Sequence, residues 1–489
     1  MTKEVVIIGA GFSGMASAAV LAQKGFKVKV LEKLDQAGGR ARKFSAEGFT
    51  YDMGPSWYWM PEVFEDFFQR FGKTASDYYQ LKRLDPSYRV FYGKDDFKDI
   101  PAGSEQVMKL FETMEKGAGQ KLKKFLKDAA YKYRIGVGEL VHKPGKSVME
   151  FARLDILKSM FKMQLFSSFY AYVRKNFKNP RLHPILYFPI IFLGATPKRT
   201  PALYSLMNYA DMELGTWYPM GGMYEVVEGF KKLAESLGVE FIFNAEVTKI
   251  NIENSQVKSV VAGGKEYKTD VLLASADYQF VEQQLLPKEF RRYSPNYWDK
   301  REMSPSSLIF YLGIDKKLDN FQHHTLLFDE EFEPHAQAMF EKPEWPEKPL
   351  LYTSVTSKTD PTVAPEGKEN LMVLIPVAPG LKDTEETREK YYKLVIQRLE
   401  QVTGQEIGKH VIYKRSYAHN DFVNDYHAYK GNAYGLGNTL RQTAFLKPGI
   451  VNKKLPNLFY TGQLTTPGPG VPPVIISGQV VANEIIKQF

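Results

Sequence analysis

The first residues with the types and spacing for chemistry lie within forty positions of the amino end. Gly9-Ala10-Gly11-Phe12-Ser13-Gly14 sets three glycines in a G-x-G-x-x-G spacing, Glu32 follows, and Gly38-Gly39-Arg40 comes shortly after with Arg42 close behind. Glycine at position 9 permits a tight turn, at 11 it lets the backbone approach a pyrophosphate, and at 14 it lets a helix pack close to a strand. Glu32 can accept hydrogen bonds from ribose hydroxyls and would repel a 2′-phosphate. Gly39 and Arg40 add a second, cationic grip on a pyrophosphate. Together these residues point to a dinucleotide without a 2′-phosphate.

Such residues act only if a strand delivers them to the start of a helix. Val5-Val6-Ile7-Ile8 has the β-branched character of a buried parallel strand. Met15, Ala18, Ala19, Leu21 and Ala22 give the next segment a helical stripe, Gly25 ends it, and Lys27–Leu31 reads as a second strand finishing at Glu32. The helix N-terminus then presents free N–H groups and positive potential to phosphates. Farther on, 238–250 reads as an alternating strand and 268–276 as a returning one. At the carboxyl end Leu458-Phe459-Tyr460-Thr461 reads as a buried strand ended by Gly462, and a loop rich in glycine and proline leads to an apolar helix from Val474 to Ile486.

Composition narrows the field. A chain of 489 residues suits two or three interlocked domains rather than one core. It has no cysteine, which excludes disulfides, cysteine-ligated metals, iron–sulfur clusters and a thioether-tethered flavin. The net charge is +9, but no run of Lys and Arg with interleaved aromatics suggests a nucleic-acid groove. The eight histidines are scattered without metal-like pairing, so no metal site is expected. The longest apolar run, Ile185 to Ala195, is too short to span a bilayer and contains Pro189. With 33 Phe and 29 Tyr, the aromatic content suits the lining of an apolar cavity.

Further blocks carry a resemblance. Gly38-Gly39-Arg40 with Gly48-Phe49-Thr50-Tyr51-Asp52-Met53-Gly54-Pro55-Ser56 resembles the flavin-dependent amine oxidase and phytoene desaturase superfamily. Trp217–Met223, the stretch from Asp421-Phe422 through Tyr429–Leu436 to Gln442-Thr443, and Leu455–Gly462 with Pro467–Val474 are similar to the bacterial carotenoid desaturase branch. The resemblance implies an α/β fold: a Rossmann-like, amine-oxidase-like FAD-binding domain, an inserted mixed-sheet substrate domain, and a helical, membrane-associating subdomain. The FAD domain is expected to be discontinuous over 1–75, 205–295 and 430–489, with 76–204 mainly helical and 296–429 binding substrate. The cofactor would be FAD, held by Gly9, Gly11, Phe12, Ser13, Gly14, Glu32, Lys33, Gly39, Arg40, Gly54, Pro55, Ser56, Val247, Ala276, Gly462, Gln463, Pro473 and Val474. Gln463 departs from the pattern, because related flavoproteins often carry an acidic residue there to hold the ribityl chain.

The resemblance also implies a reaction. Two hydrogens leave a carbon–carbon bond beside a polyene in an acyclic carotenoid, phytoene-type or 1-hydroxylated and desaturated at the 3,4 position. A hydride goes to the flavin and a proton leaves the adjacent carbon. Oxygen or a membrane quinone would then take the electrons, since no second nucleotide motif serves NAD(P)H. The acid–base candidates are Asp421 and Arg153. His419 and His427 read as loop residues. The stretch Phe151–Ala195 mixes aromatics with lysines and reads either as core or as a surface that dips into lipid. The expected location is peripheral, on the inner face of the cell membrane. A redox-neutral carotene isomerase, a retinol-type saturase, an amine oxidase and a non-enzymatic prenyl-lipid carrier remain alternatives.

Overall fold

The computed structural model describes residues 2–147, 150, 167–191 and 194–489. Its organising element is a five-stranded sheet in the order Leu458–Tyr460, Val271–Ala274, Glu4–Ile8, Lys27–Leu31, Glu240–Ile242, every pairing parallel. Three stretches of chain far apart in sequence therefore build one sheet. Its central strands are buried, with Ile7, Val30, Val271 and Leu273 all at 0% exposure, as expected where both faces of a parallel sheet are covered.

One face is covered by the helix Phe12–Gln23, against which the carboxyl-terminal helix Val471–Gln488 packs. Their close approach depends on Gly478, where an added Cβ would lie 2.4 Å from the Ser13 carbonyl oxygen. Ser17 Oγ donates to the Gly478 carbonyl at 2.9 Å across the same contact. The helix Tyr224–Ser236 covers the sheet beside them. Asp52 accepts hydrogen bonds from Met223 N at 2.8 Å and Tyr224 N at 3.0 Å at the start of that helix. This gives Asp52 and the Gly221-Gly222-Met223 motif a structural role. Burial of the carboxyl raises the Asp52 pKa to about 6.

A second sheet has seven strands in the order Val411–Tyr417, Ser306–Ile314, Glu369–Val377, Leu351–Ser354, His324–Leu327, Tyr88–Gly93, Asp96–Ile100. It is mixed, because only His324–Leu327 and Tyr88–Gly93 run parallel. Here the structure departs from expectation: the stretch 76–204 holds the short strand Leu81–Arg83 and then the hairpin 88–100, which completes the second sheet. The alternation of Tyr88-Arg89-Val90-Phe91 is too short to declare a strand without its partner. Helices Ser104–Met114, Ala118–Gly136, Phe169–Asn176 and Leu182–Ile191 follow. Ile185–Ile191 is buried in the core beneath the second sheet rather than presented outward.

A second departure concerns 238–250. Glu240–Ile242 joins the parallel sheet, Asn244 takes a left-handed conformation at φ 52°, and Val247–Glu253 starts a separate antiparallel meander with Gln256–Ala262 and Lys265–Lys268. Asparagine tolerates that conformation better than most residues, so the chain turns there without glycine.

Candidate functional site

The carboxyl ends of the parallel strands converge at the head of the helix Phe12–Gln23, and beneath them opens a cavity of about 790 Å³. Gly9 leaves its strand at φ +97°. Gly11 starts the helix with no capping side chain, so the first-turn N–H groups stay available to a ligand. An added Cβ at Gly11 would meet nothing within 4 Å, because that face looks into open space. At Gly14 it would lie 2.3 Å from the Gly9 carbonyl oxygen. The two glycines thus serve different ends: Gly14 keeps the helix against the strand, and Gly11 keeps the approach clear.

The expected cofactor residues group by element. Gly9, Gly11, Phe12 and Ser13 line the cavity from the first turn, Glu32 and Lys33 from the second strand, and Gly39, Arg40, Gly54, Pro55 and Ser56 from the following loops. Val247 and Ala276 line it from the middle of the chain, and Gly462, Gln463, Pro473 and Val474 from the carboxyl end. Gly14 lies behind this lining.

Glu32 is buried, and its two oxygens accept from Ala10 N at 2.8 Å and Leu34 N at 3.0 Å. Burial raises its pKa, and those backbone donors oppose the shift. Each oxygen keeps a lone pair for a ribose hydroxyl. Arg40 is the cationic counterpart. Its Nη2 donates to the Asn432 carbonyl at 3.3 Å, its guanidinium lies 5.2 Å from the Tyr426 ring centroid, and its buried Nε has no partner. Gln463, with its amide oxygen turned toward Arg40, accepts from Nη2 at 3.0 Å and Nη1 at 3.2 Å. A neutral partner there orients the guanidinium without adding a charge of its own, while the buried Asp277 carboxyl acts on it electrostatically from the same cavity wall. The open face at Gly11, the uncapped helix, the buried carboxylate and the unsatisfied arginine fit a ribose-pyrophosphate ligand.

Beyond Arg40 the lining turns apolar. Ile309, Leu374 and Tyr352 line the cavity from three adjacent strands of the second sheet, Ile309 opposite Leu374 and Leu374 opposite Tyr352 in register. Trp57, Trp59, Leu203, Leu206 and Met207 face them. Phe445 and Leu446 also line the cavity while 38% and 42% exposed, so it meets the surface at an apolar lip.

Asp421 does not line the cavity. Its Oδ2 accepts from Ala418 N at 2.8 Å at the head of the helix His419–Tyr426 and from Arg388 Nη2 at 2.7 Å. That carboxylate caps and pins a helix, which corrects its candidacy for acid–base work. Arg153 lies outside the described residues, as do Phe161 and Phe166 of the suspected lipid-facing stretch. His419 is a core residue whose Nε2 lies 2.8 Å from the Ala378 carbonyl. His427 is more than a loop residue. It lines the cavity, stacks on Phe280 with ring centroids 3.8 Å apart, and its Nε2 lies 2.7 Å from Glu246 Oε1. Phe280, Glu246, Asp277 and Tyr426 are further lining residues that sequence reasoning missed. No spacing or composition marks them, because they meet only when the sheets and helix close on one another.

Comparison with known proteins agrees with this geometry. A family model described as flavin containing amine oxidoreductase matches residues 12–486. A carotenoid 3,4-desaturase from Haloarcula japonica is 38% identical, covering 100% of this chain and 99% of that protein. A 4,4′-diapophytoene desaturase (4,4′-diaponeurosporene-forming) from Staphylococcus aureus is 30% identical, covering 99% of each. Among solved structures, an oxidoreductase from Methanosarcina mazei shares the fold with a TM-score of 0.66 at 17% identity, over 98% of this chain and 100% of that one.

Proposed function

The chain belongs to the flavin-containing amine oxidoreductase family and is an FAD-dependent oxidoreductase, and from that premise we propose that it desaturates an acyclic carotenoid, phytoene-type or 1-hydroxylated and desaturated at the 3,4 position. The observation that carries this reading is the continuity of one cavity from Gly11, Glu32 and Arg40 to the row Ile309, Leu374, Tyr352 and out to Phe445 and Leu446. The polar end suits a nucleotide and the apolar remainder suits an isoprenoid chain. Burying isoprenoid methylenes at ~0.8 kcal/mol each binds such a chain without polar contacts.

When bound, FAD supplies a two-electron acceptor. The protein's own task is to hold one carbon–carbon bond of a long flexible chain in place and to keep water away. The indoles of Trp57 and Trp59 and the facing sheet row restrict the polyene to a slot, which turns binding into alignment. Oxygen or a quinone completes the cycle. The reading places the protein peripherally on the inner face of the cell membrane. That placement draws on the exposed apolar lip at Phe445 and Leu446, through which a lipid-borne substrate would enter. Among the described residues, no helix is long and apolar enough to cross a membrane.

The test is product analysis with phytoene and with a 1-hydroxycarotenoid in liposomes, with and without an electron acceptor. Added double bonds that accumulate only with an acceptor support the reading. An isomer formed equally without acceptor overturns it in favour of redox-neutral isomerisation.

A further inference from the structure

The apolar wall of the cavity has one polar seam. Tyr352 Oη donates to Ser56 Oγ at 2.8 Å and lies 2.8 Å from His324 Nδ1. Ser56 and Tyr352 line the cavity, while His324 stands behind them at 0% exposure. The His324 ring stacks on Trp57 with centroids 4.0 Å apart, and its Nε2 has no hydrogen-bond partner. His323 meets that ring edge-on at 4.5 Å, and its Nδ1 lies 2.7 Å from Oγ1 of the half-buried Thr359. Ser56, Tyr352 and His324 therefore form a hydrogen-bonded chain leading from the cavity into its wall, and His323 packs against the inner end of that chain without a hydrogen bond to it.

Hydroxyls and imidazoles are costly to bury in an apolar wall unless they are paired. The unpartnered Nε2 shows that this seam is not optimised for stability alone. The arrangement also has two proton layouts. With the Tyr352 proton toward Ser56, His324 Nδ1 carries hydrogen and donates to Tyr352. With the Tyr352 proton toward His324, Nδ1 is the acceptor. The second layout, in which neutral His324 carries its hydrogen on Nε2, lets Tyr352 pass a proton to Nδ1 without moving heavy atoms.

We propose that Ser56, Tyr352 and His324 form the proton-accepting relay of this site, with Tyr352 Oη taking the proton that the substrate carbon releases. The inference rests on the desaturase reading. In that reaction one carbon gives up a hydride, which the flavin accepts as the two-electron oxidant. The neighbouring C–H bond breaks, and its electron pair forms the new C=C bond. The released proton binds Tyr352 Oη as the tyrosine's own proton passes to His324 Nδ1, while Ser56 Oγ holds the phenol in place. Burial keeps His324 well below the ordinary histidine range, so it accepts a proton only from a far stronger acid. A C–H bond next to a polyene cation is such an acid. Neither His324 Nε2 nor His323 Nε2 has a hydrogen-bond partner, so His324 holds the proton only until it returns through Tyr352 to the cavity. Tyr352 is the catalytic residue, and His324 acts through it.

The test uses the FAD-loaded protein and its Tyr352→Phe and His324→Ala variants in anaerobic single turnover with an acyclic carotene in liposomes. FAD content and thermal melting are recorded for each. The expected result is FAD content close to wild type with product appearing about a hundredfold more slowly, as the loss of a general base requires. Added imidazoles should restore His324→Ala, with rates that rise with the basicity of the imidazole used. A role in packing alone would not produce that dependence. Tyr352→Phe keeps the ring in its slot, so it decides the matter should His324→Ala fail to fold. Wild-type rates in Tyr352→Phe, or rescue independent of basicity, would overturn the relay. If the wild-type protein itself leaves the polyene unchanged, the desaturase reading falls and the relay with it.

Discussion

The two ends of the cavity are built by different rules. At the nucleotide end the backbone does most of the work. Gly9 turns at φ +97°, Gly14 has no room for a Cβ, and Gly11 keeps a clear face toward the ligand. At the polyene end side-chain bulk does the work, through Trp57, Trp59, Ile309, Leu374 and Met207. Backbone constraints admit one residue type at a fixed spacing, whereas an apolar wall accepts any side chain of suitable volume. The first end is therefore brittle to substitution and the second tolerant.

The sharpest way to break this comparison is Gly14→Val. The new side chain meets the Gly9 carbonyl, so we expect a loss of about 3 kcal/mol or more in stability, read by chemical denaturation. Unchanged stability would mean that the helix and strand have slack. Gly11→Ala should divide the two functions. The apoprotein should melt as wild type does, while FAD affinity falls about a hundredfold, ~3 kcal/mol, by equilibrium titration. Equal losses of both would show that Gly11 serves the fold. Glu32→Ala removes the acceptor for Ala10 N and Leu34 N as well as the ribose contact, and we expect FAD retention to fall about tenfold, ~1–2 kcal/mol. Unchanged FAD occupancy would mean that the ribose contact is misassigned. The smallest effect should come from Asp421→Asn. It weakens a helix cap and an ion pair by about 1 kcal/mol and leaves turnover unchanged. A large fall in turnover at full FAD loading would return Asp421 to the chemistry.

The same contrast explains what could be read from the sequence. Gly9 to Gly14, Glu32 and Arg40 announce a nucleotide end because local backbone geometry dictates residue identity there. The strands Val5–Ile8, Val271–Ala274 and Leu458–Tyr460 are legible as short buried apolar runs. The hairpin 88–100 was hidden because its pairing partner, His324–Leu327, lies more than two hundred positions away. The bend at Asn244 was hidden because a left-handed asparagine does not interrupt an alternating pattern. Asp421 looked chemical because it is acidic and sits in a recognisable motif, yet Arg388 and the Ala418 N–H explain its placement. His427 reads as a loop residue and Tyr352 carries no signal in the sequence, because their roles arise only from what the fold brings beside them: Phe280 and Glu246 for the one, Ser56 and His324 for the other.

The central claim is that one cavity joins a flavin to a polyene so that oxidation of the second reduces the first. Anaerobic incubation of the FAD-loaded protein with phytoene in liposomes, and then with 1-hydroxycarotenoids, tests it most directly when flavin absorbance and the polyene spectrum are followed together. The account predicts bleaching of the flavin in step with a polyene absorbance that moves to longer wavelength. A flavin that stays oxidised, with no product or only an isomerised one, would contradict it.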